Sequence, residues 1–235
     1  MQRYFAKSIE NNKITLYDSD IHHIKKVMRM QKGDCIEVVY SEKIYTCKLD
    51  NDFSCIIEKV SNEKSGLSKE LIVAVGLVKE QKMDLILQKL TELGVSKIIP
   101  VNMERSIVKL DSKKEEKKLE RWNMICKEAS EQSKRTSITI VNDIINLKDL
   151  IDIKVDKKLV CSTTENFNMI HEELDDKNYE SVLVVIGPEG GISPKEEIYL
   201  EQNGFTRISF GQLILRVETA CIYMASIFNY IVNKK

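Results

Sequence analysis

The sequence contains no apolar run approaching the ~20 residues that a bilayer-spanning helix needs. Its opening stretch, MQRYFAKSIENNK, has no apolar h-region, so neither a membrane span nor a secretory signal is expected. Net charge is also missing: 36 basic side chains balance 36 acidic ones, which excludes a globally basic coat for nucleic acid but not a local basic face. No Cys-x-x-Cys pair occurs among the six cysteines, at 35, 47, 55, 126, 161 and 221. Most of them sit in apolar runs, so reduced, buried thiols in a cytoplasmic protein are expected, with no metal site. Internal repeats and low-complexity tracts are absent too.

What is present is a chain of 235 residues, 43% hydrophobic and 31% charged, enough to bury a real core. Charge is unevenly spread: residues 71–142 carry 14 basic and 10 acidic side chains, and residues 143–235 carry 10 and 15. A polyanion would therefore favour the middle segment and parts of the first. A polar stretch, Ser61 to Ser68, separates two differently patterned regions and predicts a boundary between residues 1–68 and 71–235.

Before that boundary the signals are strands. RYFA, KITLY, CIEVVY, KIYTCKL and FSCIIEKV are short, β-branched or aromatic, and several alternate. One helix interrupts them, capped by Asp18 or Ser19, with Ile21, Ile24 and Val27 or Met28 on its inner face. This pattern predicts a small β-barrel module. After the boundary, strand and helix alternate. LIVAVGL, KIIPV, ITIV, KLVCS, SVLVVIG and TRISF read as strands, and helices are expected at 79–93, 113–134, 146–151, 194–203 and 216–232. Ser193, Pro194 and Glu196 form a complete helix-start signal. Such alternation predicts an α/β domain with a mostly parallel sheet covered on both faces.

Chemistry concentrates at a few places. Val184 to Gly191 (VVIGPEGG) runs a buried strand into three glycines and then a capped helix, and ligands bind at the carboxyl ends of parallel strands. A phosphate cradle is one reading, but no Walker pattern is present and Glu189 puts a carboxylate where phosphate wants positive charge. A neutral nucleoside or a cationic ligand suits the loop better. A tight strand-to-helix turn with no ligand is the structural alternative. The segment FGQLILRVETA, Phe210 to Ala220, places Arg216 beside Glu218 in apolar sequence, as a functional pair or as an ion pair at a helix start. QKLTELGV, the following ERS at 104–106, and EASEQSKR complete the set. In the last of these Glu128, Glu131, Gln132 and Arg135 share a helix face that, without function, would be a solvated one.

In this order the motifs resemble the RsmE type of small-subunit (16S-type) ribosomal RNA methyltransferases, a knotted SPOUT class of S-adenosylmethionine enzymes that methylate ring nitrogen 3 of uridine. Arg3-Tyr4-Phe5 and His23 to Met30 are similar to its PUA-like N-terminal module, and IGPEGG with the LR-x-ETA pattern to its catalytic domain. Two departures stand out: Gln212-Leu213 where the family has Pro-Arg, and Val217 where it has Thr. The resemblance implies a trefoil knot with residues 210–235 threaded through a loop, which periodicity does not show and which general topology argues against.

It also implies S-adenosylmethionine bound by Ser162, Thr163, Ile186, Gly187, Pro188, Gly190, Gly191, Phe210, Gly211, Ile214, Leu215 and Ala220. Valine at Gly190 or Gly191 is expected to obstruct that ligand. Glu218 and Glu189 are the candidates for taking the imide proton, and Arg216 for stabilising the charge that develops. Arg3, His23, Arg29 and Arg135 are candidate RNA contacts. Small-subunit ribosomal RNA, within the assembled subunit, is the implied partner. A homodimer is expected because the last helix is apolar on nearly every side. Two other functions fit less well: a non-catalytic RNA-binding or ribosome-assembly factor, and a SPOUT ribose 2′-O-methyltransferase.

Overall fold

The structure is a computed structural model that describes every residue except 12, 109–111, 165–167, 177 and 235, and the side chains of 112 and 113. It forms two compact units, one of residues 1–66 with 127–138, the other of residues 67–126 with 139–235. The segment 127–138, which lies in the second region when the chain is cut at the polar stretch, thus belongs with the first.

In the first unit β1 (Arg3–Glu10), β2 (Lys13–Leu16), β3 (Cys35–Tyr40), β4 (Lys43–Leu49) and β5 (Cys55–Ser61) close a barrel in the order β1-β2-β5-β4-β3. Their alternation supplies its core: Tyr4, Ile14, Leu16, Ile36, Val38, Cys47, Leu49 and Cys55 are buried inside. The expected helix is α1 (Asp18–His22) running into a π-helical turn at His23–Val27. The wider turn rotates the inner face after Ile24, so Val27 and Met28 are exposed rather than inward. Tyr17 occupies the cap position without a side-chain hydrogen bond. Asp18 instead opens the helix, where its charge suits the dipole. Ser65, within the polar stretch, donates its N–H to Thr136 Oγ1 (3.1 Å), and that hydroxyl returns a bond to Ser65 O (3.1 Å).

The second unit holds an all-parallel sheet of β6 (Glu70–Gly76), β7 (Lys97–Asn102), β8 (Ile140–Val141), β9 (Ile145–Asn146), β10 (Lys157–Cys161), β11 (Ser181–Ile186) and β12 (Thr206–Ile208). Its order is β12-β10-β11-β6-β7-β8, with β9 also on β7. Along β6, Leu71, Val73 and Val75 enter one core, which α2 (Glu80–Glu92), α4 (Ile170–Asp175) and α6 (Val217–Asn233) cover. Ile72 and Ala74 enter the other, under α5 (Pro194–Gln202). Both faces are therefore buried, which is why the strands read as continuous apolar runs. The long helix α3 (Ser112–Gln132) ends before Lys134, whose φ is +59°; Trp122 and Cys126 are buried on its inner stripe. Helix α4 and strand β9 had no sequence signal strong enough to predict them. No described helix is long and apolar enough to cross a membrane.

Candidate active site

Strands β10, β11 and β12 are adjacent, so the loops at their carboxyl ends meet. Ser162 N–H donates to Ile208 O (3.0 Å), and a parallel bridge joins Met169 to Ser209. The loops after these strands, together with the start of α6, wall a cavity of about 420 Å³. Every residue expected to bind the cofactor lines it: Ser162, Thr163, Ile186, Gly187, Pro188, Gly190, Gly191, Phe210, Gly211, Ile214, Leu215 and Ala220. Glu189, Arg216, Gln212, Leu213 and Val217 line it as well.

The glycine loop is shaped by its own packing. A Cβ on Gly187 would lie 2.8 Å from the Ile192 side chain and backbone, and Gly191 has a φ of +71°. A Cβ on Gly190 would meet Arg105, 3.0 Å from its Cβ and 3.3 Å from its carbonyl, so a side chain there presses on Arg105, which must give by a few tenths of an ångström, as well as on the cavity. Arg105 braces the loop from the segment after β7, donating from Nη1 to Gly190 O (3.1 Å) and Ile192 O (3.4 Å). The predicted capping box fixes the loop's other end. Ser193 Oγ accepts from Glu196 N–H (3.3 Å), Ser193 N–H donates to the Glu196 carboxylate (3.0 Å), and Ser193 O–H donates to Glu104 (2.6 Å).

Glu218 is not paired with Arg216. Its ion partner is Lys82, in the first turn of α2, 3.6 Å from Oε2, and the same ammonium stands 3.4 Å from Glu189 Oε1. Both Glu189 oxygens and Glu218 Oε2 are buried without a hydrogen-bond partner. Arg216 is exposed on the cavity wall and makes no ion pair among the described residues. Lys82, Ile192 and Glu197 line the cavity but carried no sequence signal as site residues, and ERS was singled out without a role. The one available hint for Lys82 was a cation in a helix's first turn, where the dipole disfavours it.

Two of the expected RNA contacts are buried. Arg3 is 6% exposed, paired with Glu37 (3.0 Å) and donating to the carbonyl of Lys134. Arg135 is likewise 6% exposed. Both guanidiniums are thus withdrawn from the surface that a phosphate would approach, and that of Arg3 is spent on partners within the protein. The face of Glu131 and Arg135 is not solvated either. Glu131 accepts from Phe5 N–H (3.2 Å) and Lys127 (2.7 Å), and burial pushes its carboxyl up to about 7 against the opposing pull of Lys127. His23 is half-buried with Nδ1 against Tyr4 Oη (3.0 Å), while Arg29 is exposed, at φ +52°.

Comparison with known proteins places this arrangement. Residues 65–229 match the RNA methyltransferase domain family and residues 16–67 the RNA methyltransferase PUA domain family. Ribosomal RNA small subunit methyltransferase E of Bacillus subtilis is 36% identical, over 98% of this chain and 96% of its own. The protein of the same name from Aquifex aeolicus is 31% identical, over 97% and 98%. A crystal structure of that enzyme from Neisseria gonorrhoeae, bound to S-adenosyl methionine, is 26% identical and superposes with a TM-score of 0.83 over 96% of this chain and 95% of its own. With both domains matched in order and relatives aligned end to end, the chain belongs to the ribosomal RNA small subunit methyltransferase E family.

Proposed function

We propose that this protein methylates ring nitrogen 3 of one uridine in small-subunit ribosomal RNA, acting on the assembled subunit in the cytoplasm as a homodimer. As a family member it is an S-adenosylmethionine-dependent methyltransferase of small-subunit ribosomal RNA. The observation that carries the finer reading is the meeting, at one cavity, of a glycine loop, an apolar wall and the buried Glu189 carboxylate, with Glu218, which does not itself line the cavity, joined to it through Lys82.

These residues fit the cofactor. Ile186, Leu215, Val217 and Ala220 offer an apolar wall for a purine, and Glu189 offers negative charge to a cationic sulfonium. S-adenosylmethionine supplies an activated methyl group when bound. The chain's own tasks are to hold the acceptor base in line and to remove a proton from an imide nitrogen. That nitrogen lies on the pairing edge, so the base must be unpaired or flipped out. Glu218 or Glu189 takes the proton, and the exposed Arg216 stabilises the imidate charge as it forms.

The first unit supplies RNA contacts. Lys25, Lys26 and Arg29 are exposed around the π turn, and His23 stands beside them. Tyr223 and Tyr230 on α6 are exposed at 41% and 69%, an apolar face that a second copy would cover. The threaded chain end belongs to the same reading, supported by the pairing of β12 with β10 and the bridge from Met169 to Ser209.

The test is reverse transcription across small-subunit RNA, because a methyl on nitrogen 3 blocks the pairing edge and stops the enzyme. Deleting the gene should remove one stop, and nucleoside mass spectrometry should show loss of 3-methyluridine. Wild-type protein should restore both, and Glu218→Gln should restore them poorly while still binding cofactor. A lost ribose methyl instead would favour the 2′-O reading; an unchanged RNA would favour a non-catalytic assembly factor.

A further inference from the structure

We propose that Lys82 is a positioning residue of the transfer site, one ammonium on the cavity wall that keeps the Glu189 carboxylate beside it and the Glu218 carboxylate just behind it charged together. This rests on the reading that one of them takes the imide proton. Three segments converge on the lysine: the first turn of α2 that carries it, the glycine loop that carries Glu189, and the first turn of α6 that carries Glu218. Its Nζ stands 3.4 Å from Glu189 and 3.6 Å from Glu218, and it is the one cation within ion-pair distance of either among the described residues.

Two carboxylates within reach of one ammonium repel each other. Without the cation the pair lowers its energy by taking up a proton. The pair has little other relief, because both Glu189 oxygens and Glu218 Oε2 are buried and make no hydrogen bond. The remaining charged or titratable groups facing them do not replace the lysine. Arg105 and Arg216 line the cavity from exposed positions, and Glu197 adds a further acid. The thiols of Cys161 and Cys221 are pushed up by burial, the second also by the charge of Glu218, so both are neutral.

The placement of Lys82 makes sense only through these partners. It is the third residue of α2, where the helix dipole disfavours a cation and favours an acid. The carboxylates offset that cost. The same contact joins the two carboxylates through one cation and ties the glycine loop to α6.

The experiment uses the full chain carrying Lys82→Met or Lys82→Arg, with folding checked by circular dichroism, and Lys82→Gln in place of Met if that variant does not fold. Carboxyl-labelled glutamate followed by carbon NMR, assigned with Glu189→Gln and Glu218→Gln, reads the titration directly. In Lys82→Met one carboxylate should bind its proton about tenfold more tightly, a rise of about one pH unit, and Lys82→Arg should restore the wild-type curve. The acidic limb of the methylation rate should move up by the same amount, with rate recovered at higher pH. A purely structural lysine would lower the rate at every pH and leave the limb in place. Unchanged glutamate titrations in folded Lys82→Met overturn the proposal. Wild-type protein that yields no methyluridine overturns the reaction instead, and the NMR titration still judges Lys82.

Discussion

At the scale of single residues, burial decides what a charge does. Lys127 donates to Asp20 and Glu131 at 2.6 and 2.7 Å. Burial opposes its charge, and these two partners outweigh burial and raise its pKa. For Glu131 burial dominates, lifting the carboxyl from 4.5 to about 7. Between those values the folded state binds the extra proton, so this group's contribution is full below 4.5 and is lost as pH rises through about 7. The span is roughly 3 kcal/mol at most. Glu131→Gln keeps an acceptor for Phe5 N–H and cannot ionise. Its thermal midpoint should therefore fall less between pH 5 and 8 than that of the wild type, as scanning calorimetry would show; parallel curves would refute the assignment. Gly76 makes the steric counterpart. A Cβ there would stand 2.5 Å from Pro188 Cδ and 2.6 Å from its backbone nitrogen, so the end of β6 presses directly on the glycine loop. Gly76→Ala should cost about 1–3 kcal/mol in stability, the usual range for overpacking. It should also weaken S-adenosylmethionine binding in titration calorimetry, because the loop can yield only by moving. Undiminished affinity would mean that the loop does not hold the ligand.

Elements differ in how far their own sequence specifies them. Helix α5 was legible because its start is local: Ser193, Pro194 and Glu196 lie within four positions and form the capping box they predict. The parallel sheet was legible because a strand buried on both faces must be apolar throughout. The cavity loops were legible from their glycines and from the motif order. Other features depend on distant partners. Arg3 looked available for RNA until Glu37 and the carbonyl of Lys134 arrived beside it, 34 and 131 positions away. Lys82 looked like an ordinary helix lysine because Glu189 and Glu218 lie more than a hundred positions further on. The π turn at His23–Val27 broke the 3.6-residue spacing on which the expected inner face relied. Val217, a departure from the family's pattern, is buried against the apolar core, where a β-branched methyl side chain packs without a hydroxyl to satisfy.

At the scale of the whole chain, the two units are not consecutive stretches of sequence, and this governs how the protein can be cut. Residues 127–138 belong to the first unit although more than half of α3 precedes them in the second. Within that unit they carry Lys127, bonded to Asp20, Glu131, bonded to Phe5 N–H, and Thr136, bonded to Ser65. Ile138 packs with Phe5, Val39 and Ile44. A chain of residues 70–235 would therefore retain the cavity but strip these partners away. It would leave a half-buried lysine and a buried glutamate at the end of the helix that carries Trp122 and Cys126 facing water, and Ile138, in the segment after that helix, uncovered. The cost falls on stability first, since breaking buried polar contacts without replacing them is among the more damaging changes a fold can suffer. The truncated chain should unfold several degrees below the full one, and its residual cofactor affinity should fall steeply with temperature while the full chain's does not. Replacing Lys127, Glu131 and Ile138 together by Ser, Gln and Thr in the truncated chain should recover part of the lost midpoint, because those three side chains no longer have partners. Equal midpoints for full and truncated chains would show that 127–138 holds its shape without the barrel.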